Sequence, residues 1–394
     1  MSRQNAARVG YDPLAPATLA DPYPVYARLR TQAPVFWHAG MGCWVLSRYA
    51  DCVAVLRDHQ GFARDWRRVG EAVPEASLSV QSLDPPALAA VRGAFLRALH
   101  AQDLGAISGA AAGLLEVVFD RLADRGCFDL VAEVAQPLAL QVICDLLGVA
   151  APEVESFAAV SDAIMRGMDA GLDPARAEPA RRARAELTAL VASWFTETGG
   201  PGLLADVRTA PDVPPAVVQN TARVMFQGGY STMVAAIGNI AAVLLRHPGV
   251  LEEVRARPDL APAAVEELVR FDGPVQGTSR AATAQTVIGG RPIGAGQTVL
   301  TLYAAANHDP DVFNRPDELR LDRAPNPHLG FGWGPHACLG TLLAQTGLTV
   351  LLTALAARPP LRPCGPARRD ETATMRRLAV LPVTFRRSTL GGSR

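Results

Sequence analysis

One apolar segment constrains the fold of this chain more than any other feature of its sequence. It runs from Asp212 to the "HPG" at 247–249. Asp212 can cap a helix, Pro214 and Pro215 suit a first turn, and the Pro-Gly pair stops the helix. The predicted helix has roughly 34 residues and is roughly 50 Å long, against an average of about 11–12 residues. Because apolar residues lie on most of its faces, this helix must run through the centre of the protein.

Two adjacent glycines, Gly228 and Gly229, lie in the middle of this predicted helix. Each interior glycine costs a helix roughly 1 kcal/mol relative to alanine, so a compensating role is expected. Two small hydroxyl side chains, Ser231 and Thr232, follow within one turn. The segment therefore predicts a place where a bare backbone and small polar groups are needed.

The rest of the chain predicts a mainly α fold with a minor β region near its two ends. Helix–turn–strand is expected over 21–37, strand–helix over 42–59, and short strands over 287–307. Residues 61–83 read as a polar surface loop. Helices dominate from about 86 to 200, with breaks at Pro137, Gly148 and 168–174, and a turn at 198–202. We predict one domain over 1–394, with flexible termini at 1–15 and 388–394.

Composition excludes several classes of function. Lys+Arg equals Asp+Glu at 38 each, so no polyanionic partner such as nucleic acid is indicated. The N-terminus has no signal-peptide pattern, and no uninterrupted apolar run reaches the ~18 residues of a membrane span. A soluble, cytoplasmic protein is expected. The six cysteines lack CxxC spacing, which argues against a disulfide framework and against a zinc module.

One cysteine, Cys338, lies between a glycine-rich loop and a predicted helix in "FGWGPHACLGTLLAQ". A sulfur at a helix N-terminus faces free N–H groups, which favours the thiolate that a metal requires. An ordinary buried cysteine beside a turn is the alternative. A zinc site would need further ligands, and only His336 and His328 are near in sequence, so a single thiolate points to haem iron.

The stretch "FGWGPHACLG" resembles the haem-binding signature of the cytochrome P450 family. Every defined position matches, and the resemblance extends from "DPYPVYARLR" to "LAVLPVTF". It implies the P450 fold, a triangular single domain with haem b as cofactor and Cys338 as the proximal thiolate ligand. Phe331 would pack beside the sulfur, and His336 would hydrogen-bond a haem propionate. The matching positions are Phe331, Gly332, Gly334, His336, Cys338 and Gly340.

Three further segments carry the same resemblance. Glu267 and Arg270 match the family's Glu-x-x-Arg pair, with Arg323 as its third member, although Glu and Arg at this spacing also occur as ordinary surface pairs. Arg280 and Arg92 match arginines that bind propionates. Leu88 stands where relatives often have histidine, so one propionate contact is expected to be absent or replaced.

Within the long helix, the resemblance implies the family's I helix, which crosses the distal face of the haem. Gly228 and Gly229 then leave room for O2 and water, and Thr232 donates a hydrogen bond that assists cleavage of the O–O bond. The alternative for Thr232 is a hydrogen bond to its own helix. Ser231 occupies the position of the usual acid. Because a serine only relays protons, delivery through ordered water, Tyr230, Gln227 or a polar substrate is expected.

The resemblance implies a monooxygenase that hydroxylates or epoxidises a small hydrophobic natural product. Electrons would come from a separate ferredoxin and its reductase, and the protein would be a monomer. Alternatives are oxidative C–C or C–N coupling, peroxide-driven oxidation, and a non-catalytic haem sensor or carrier. Tyr230 either faces the substrate or packs between helices, and packing is favoured. The candidate pocket residues are Gln227, Tyr230, Val275, Gln276, Thr374 and Met375.

Overall fold

The structure is a computed structural model that describes residues 10–196 and 200–385. Helices dominate it, and the strands are few and short, which confirms the mainly α class with minor β. Residues 1–9 of the predicted flexible segment 1–15 and all of 388–394 lie outside the described residues, as do residues 198–199 of the predicted turn at 198–202. The single domain over 1–394 stays a prediction.

Fourteen helices are labelled in the described part of the chain. Several of them are separated by short 3-10 turns, and a π-helical turn at Val131–Ala135 precedes α6. The helices are α1 Pro16–Ala20, α2 Tyr23–Gln32, α3 Tyr49–Arg57, α4 Ala87–Ala101, α5 Leu104–Ala123, α6 Gln136–Leu147, α7 Val154–Arg166, α8 Ala177–Thr196, α9 Leu203–Val207, α10 Pro215–Arg246, α11 Gly249–Ala256, α12 Ala261–Asp272, α13 Tyr303–Ala306 and α14 Thr341–Ala356.

Helix α10 is the predicted central helix and has 32 residues, most of them buried. It packs against α6, α7, α8, α12 and α14. Among the described helices it alone is long and apolar enough to cross a membrane, but 72% of its apolar window is buried inside the protein. That burial is the pattern of a core helix.

The predicted start of α10 is partly wrong. Pro214 is the N-cap and Pro215 begins the helix, with no side-chain cap, so Asp212 does not cap it. Proline has no backbone N–H that would require a capping partner, and its fixed φ already suits the first turn. The helix ends at Arg246, directly before the "HPG" at 247–249 that is predicted to stop it.

Twelve short strands are described, and five of them form a sheet with the order β1-β2-β8-β5-β3. The N-terminal β2 pairs in parallel with β8, so strands from the two predicted β regions join in one sheet. The strands are β1 Val35–His38, β2 Cys43–Leu46, β3 Phe62–Ala63, β4 Phe128–Asp129, β5 Gly277–Ala282, β6 Thr286–Ile288, β7 Arg291–Ile293, β8 Thr298–Leu302, β9 Arg362–Pro363, β10 Arg368–Arg369, β11 Leu378–Val380 and β12 Pro382–Thr384.

Residues 61–83 are more regular than the predicted loop. They contain β3 and two 3-10 turns, Trp66–Val69 and Glu75–Ser77. Strand β3 forms because it pairs with β5 across more than two hundred residues, with Ala63 opposite Ala281. A two-residue strand has no periodicity of its own, so this pairing had no sequence signal.

The prediction against a disulfide framework did not anticipate one pair. Cys127 and Cys364 form a disulfide, with their Cα atoms 6.0 Å apart. The fold brings them together because β4 and β9 both pair with β12, and each cysteine adjoins one of those two strands. The other four cysteines, Cys338 among them, are free.

Candidate functional site

The loop that precedes α14 presents the sulfur of Cys338. Gly332 and Gly334 have φ of +72° and +73°, a region that disfavours residues with a Cβ. A Cβ on Gly334 would lie 2.3 Å from the carbonyl oxygen of Leu56, so the loop also packs too closely on α3 for any side chain there. The amide of Cys338 donates to the carbonyl of Phe331 at 2.7 Å, which closes the loop just before α14 begins.

The thiol of Cys338 is less acidic than its place near a helix N-terminus predicts. Burial of the sulfur among protein atoms raises its pKa, although one edge of the residue stays exposed. The Gly340 amide, Thr341 and the charge of Arg92 oppose that rise without overcoming it. The expectation that the helix end favours a thiolate stays a prediction. A bound cation would favour the thiolate further.

Two guanidinium groups, that of the buried Arg280 and that of the half-buried Arg64, share neutral acceptors beside this loop. Nη1 of Arg64 donates to Thr278 Oγ1 and to the carbonyl of Ser279, both at 3.1 Å. Nη1 of Arg280 donates to the same two atoms at 3.3 and 2.8 Å. Across residues 10–196 and 200–385 no carboxylate lies within salt-bridge distance of either arginine. Burial and the charge of Arg64 lower the pKa of Arg280 to about 10, so an anion at this place would relieve a real electrostatic cost.

Arg92 and His336 bring two further nitrogen-bearing side chains to the same loop. Nη1 of Arg92 donates to the carbonyl of Ala337 at 2.7 Å. Nε2 of His336 lies 3.0 Å from Oδ1 of Asp84, so its second ring nitrogen is the one left for a propionate. Burial lowers the pKa of His336 and outweighs the opposing effect of Asp84. Because a carboxylate only accepts, Nε2 donates to Asp84, and His336 would have to be protonated to donate its second ring N–H to a propionate as well.

These residues fit haem b. The porphyrin carries two carboxylates, and the half-buried Arg64 and the buried Arg280 have no acidic partner within salt-bridge distance in the described chain. The one free cysteine with an exposed edge, among the described cysteines, lies in the adjoining loop. A site that binds a free carboxylic acid would not need that sulfur, and a zinc site would need more ligands than this loop offers.

The two glycines of α10 differ in what surrounds them. A Cβ on Gly228 would meet no atom within 4 Å, as the prediction of open space requires. A Cβ on Gly229 would lie 2.7 Å from Cδ1 of Ile143 on α6. For Gly229 the expected open space is absent, because α6 already fills it. Gly228 alone leaves the opening, and Gly229 allows two helices to approach closely.

This difference predicts opposite effects for two neighbouring substitutions. Gly229→Ala is expected to lower the free energy of unfolding by about 1–3 kcal/mol through overpacking against Ile143. Gly228→Ala is the matched control, and it should gain up to about 1 kcal/mol from helix propensity while narrowing the opening. Urea unfolding of both variants measures this. Equal stabilities for the two variants would contradict the assignment of the opening to Gly228.

Both hydroxyls that follow the glycines bond to their own helix. Thr232 Oγ1 donates to the carbonyl of Gly228 at 2.7 Å, and Ser231 Oγ donates to that of Gln227 at 2.8 Å. This is the alternative geometry considered for Thr232. To donate toward a ligand beside Gly228, the Thr232 hydroxyl must turn away from that carbonyl, and its role in O–O cleavage stays a prediction.

The Glu-x-x-Arg pair is fully buried. Arg270 donates Nε and Nη2 to the two carboxylate oxygens of Glu267 at 2.7 and 2.8 Å. Arg323 Nε lies 3.0 Å from both oxygens of the same carboxylate. The side chains of Glu267 and Arg270 have 0% exposure. One carboxylate therefore joins α12 to the segment that leads into the cysteine loop.

Four of the six candidate pocket residues are held by polar or aromatic neighbours. Gln227 donates Nε2 to Ser161 Oγ at 2.9 Å. The ring of Tyr230 packs on Phe157 with centroids 4.9 Å apart, which agrees with the favoured packing role. Gln276 accepts from the hydroxyl of Tyr26 at 3.1 Å. Their contact with a substrate stays a prediction.

Thr374 is the fourth of these residues, and its neighbour Asp169 has a role that the sequence did not indicate. Oγ1 of Thr374 donates to Oδ1 of Asp169 at 2.6 Å, and the amide of Ala373 donates to Oδ2 at 2.7 Å. Asp169 follows α7, so this carboxylate ties the α7–α8 connection to the C-terminal segment.

The other two candidates form an apolar surface. Val275 and Met375 are bridged as an isolated β pair, and Met375 packs with Met165 and Ala235. Met165 belongs to α7 and Ala235 to α10. Four separate segments therefore meet in an apolar cluster, to which the sequence prediction contributed only Val275 and Met375.

Arg64 is the other residue that sequence reasoning missed. The sequence predicts only a polar surface loop around Arg64, and no motif or periodicity distinguishes this residue. The pairing of β3 with β5 carries it to Arg280. The contact expected to be lost at Leu88, which is buried with 2% exposure, therefore has a candidate replacement in Arg64.

A free cysteine on a glycine-rich loop, arginines without a carboxylate partner in the described residues and a central helix opened at one glycine are the arrangement expected of a haem-thiolate protein. Comparison with known proteins agrees with this class. The family model described as cytochrome P450 matches residues 214–358.

Three relatives show how far the likeness extends. The 20-oxo-5-O-mycaminosyltylactone 23-monooxygenase of Streptomyces fradiae is 32% identical over 89% of this chain and 86% of its own length. Cytochrome P450 monooxygenase PikC of Streptomyces venezuelae is 31% identical over 95% of this chain and 94% of its own. The crystal structure of CalO2 is 31% identical, covers 96% of this chain and 99% of its own, and superimposes with a TM-score of 0.86.

This chain belongs to the cytochrome P450 family. It is accordingly a haem b enzyme, a P450 monooxygenase, and several of its relatives serve secondary metabolism.

Proposed function

We propose that this enzyme hydroxylates or epoxidises a medium-sized hydrophobic natural product, of which a macrolide is the first candidate. The observation that carries the proposal is the combination of Cys338, the two arginines without an acidic partner and the opening at Gly228. The macrolide class is supported by the names of relatives such as the mycaminosyltylactone monooxygenase and mycinamicin VIII C21 methyl hydroxylase.

The residues of the site have separable roles in this proposal. Cys338 would ligate the iron, and Arg64, Arg92, Arg280 and His336 would hold the propionates. The bound haem supplies the redox chemistry that activates O2. Gly228 leaves space beside the haem face of α10.

Positioning and proton transfer fall to other side chains. Met165, Ala235, Val275 and Met375 provide apolar surface against which a substrate can pack, which orients it and excludes water. Thr232 carries a proton on Oγ1 and donates it toward the opening when the hydroxyl turns away from the Gly228 carbonyl.

The partners follow from the same assignment. Electrons would come from a ferredoxin and its reductase, as the bacterial P450 relatives suggest. A cytoplasmic monomer is proposed, in line with the bacterial relatives. In a reducing cytoplasm the exposed pair Cys127 and Cys364 is expected to be present as thiols.

A spectral titration of the ferric protein tests the substrate class. The panel contains a macrolide, a terpenoid, a small aromatic acid and a cyclic peptide, and a simple linear alkane alcohol serves as the non-specific control. We expect a saturable shift of the Soret band toward the high-spin position with the macrolide, because a bound substrate displaces the water on the iron. A saturable shift with another class alone would reject the macrolide, and a protein without haem would reject the whole proposal.

Product analysis with surrogate ferredoxin and reductase separates monooxygenation from the alternative chemistries. A product that gains one oxygen atom from labelled O2 supports hydroxylation or epoxidation. A product that contains a new C–C or C–N bond and no added oxygen would show oxidative coupling. Turnover that requires peroxide in place of reduced ferredoxin would show that the position of Ser231 has altered the route of oxidation.

A further inference from the structure

A small, partly open cavity lies on the side of α10 that carries Tyr230 and Ser231. Its walls come from α6, α7, α10, the π-helical turn and the strand β11. Its water-accessible volume is about 20 Å³, more than the 10–15 Å³ that a single water needs. The lining is largely polar, and the residues that line it are Val131, Gln136, Ser161, Asp162, Tyr230, Ser231, Val234, Arg377, Leu378 and Ala379.

Two polar groups in this lining lack a hydrogen-bond partner within the described chain. The hydroxyl of Tyr230 and Nε of Arg377 are both buried and both unpartnered. Their residues are 2% and 6% exposed. A buried polar atom without a partner costs about 1–3 kcal/mol. Ordered water is the usual partner in a polar cavity of this size, and one water can accept from both groups.

The cavity connects the middle of α10 to solvent through a carboxylate. Nη1 of Arg377 donates to Oδ1 of Asp162 at 2.5 Å, and its Nη2 donates to Asp370. The side chain of Asp162 is 45% exposed, whereas that of Arg377 is 7% exposed. Asp162 therefore contacts both bulk water and the wall of the cavity.

At the inner end, Ser231 lies where an acid would otherwise supply protons. Its hydroxyl donates to the Gln227 carbonyl, so its oxygen lone pairs remain free to accept a hydrogen bond from water. Burial and the nearby charge of Asp162 raise the pKa of Tyr230, so this hydroxyl stays neutral and both donates and accepts. No group between Asp162 and Ser231 needs to change its charge for a proton to pass.

We infer that this cavity holds ordered water that bridges Tyr230 and Arg377, and that Asp162, through this water, supplies protons to α10 at Ser231. Each transfer breaks one O–H bond and forms another, and Asp162 regains its proton from bulk water. The protons are those consumed when one oxygen atom of O2 becomes water, with electrons from the redox partner. This inference rests on the proposed monooxygenase function. Asp162 and Tyr230 are then positioning and relay residues.

The presence of the water is tested without turnover. A high-resolution crystal structure should show density within hydrogen-bond distance of Tyr230 Oη and Arg377 Nε. Tyr230→Phe should then lower the folded-to-unfolded ratio roughly fivefold, since it removes one satisfied hydrogen bond. A dry cavity, together with a Tyr230→Phe variant as stable as the parent or more stable, would overturn the inference.

The relay is tested by coupling, the fraction of NAD(P)H electrons recovered in product. Asp162→Asn keeps a hydrogen-bond acceptor for Arg377 but removes the proton source, and we expect coupling to fall several-fold and the solvent isotope effect to rise. Glu155→Gln, an exposed acid on the same helix, is the control and should change neither. In the Asp162→Asn background, Ser231→Asp should restore coupling, because it places a carboxylate at the cavity.

Two outcomes separate this inference from the proposed function. If all variants bind haem and substrate normally and Asp162→Asn keeps full coupling, the relay is wrong and the monooxygenase assignment stands. If the parent enzyme binds haem but yields no oxygenated product, the proposed function fails, and with it the relay, whereas the crystallographic water still reports on the cavity.

Discussion

Replacing Cys338 with serine is expected to abolish substrate oxidation while leaving the fold in place. The loop geometry depends on Gly332, Gly334 and the backbone bond from Cys338 to Phe331, none of which involves the sulfur. An alcohol is far less acidic than a thiol and forms no stable thiolate-like bond to iron. The measurements are the haem absorption spectrum, the far-ultraviolet circular dichroism and product formation.

Cys52→Ser is the matched control for this substitution. Cys52 is also a free cysteine, but it is buried in α3 and its Sγ donates to the carbonyl of Leu46 at 3.6 Å. A serine hydroxyl can make the same hydrogen bond. The control should keep its haem spectrum and turnover, and an active Cys338→Ser enzyme with an unchanged spectrum would disprove the ligand assignment.

Glu267→Gln is expected to cause the largest loss of stability of any conservative substitution considered. It leaves Arg270 and Arg323 buried without the carboxylate that both contact. Breaking a buried ion pair by removing one partner costs about 3–5 kcal/mol. That is a large fraction of the about 5–15 kcal/mol by which folded proteins are stable. Urea unfolding and haem retention measure the effect.

The chain contains a matched control for this pair. Glu178 and Arg181 have the same three-residue spacing on α8, but their side chains are 58% and 74% exposed. Exposed ion pairs contribute little, so Glu178→Gln should produce no measurable change. If Glu267→Gln and Glu178→Gln behaved alike, burial would not be what gives the Glu267 network its importance.

Much of this site could be predicted because it is encoded locally. The loop from Phe331 to Gly340 is continuous in sequence, and its glycines and cysteine keep their spacing in any fold that forms it. Glu267 and Arg270 are one helical turn apart, so any helix places them together. The length and start of α10 followed from its apolar pattern and its prolines, and only its cap was misplaced.

Other parts of the site depend on residues that are distant in sequence. Arg64 reaches Arg280 through a two-residue strand, and Cys127 meets Cys364 through a third strand that pairs with both of theirs. Neither arrangement has a local pattern, since the information is in the pairing partner. The sequence alone predicts a loop around Arg64, and it gives no reason to pair Cys127 with Cys364.

The glycines and the serine of α10 show which features the sequence determines and which depend on the tertiary structure. The sequence by itself determined that a long core helix carries Gly228, Gly229, Ser231 and Thr232 at fixed spacing, because helical geometry sets their order. Only the tertiary structure decided that Ile143 closes the space at Gly229 and that Gly228 stays open. It also placed Ser231 against a cavity shared with Asp162 and Arg377, since a helix fixes the direction of its side chains but not the neighbours that they meet.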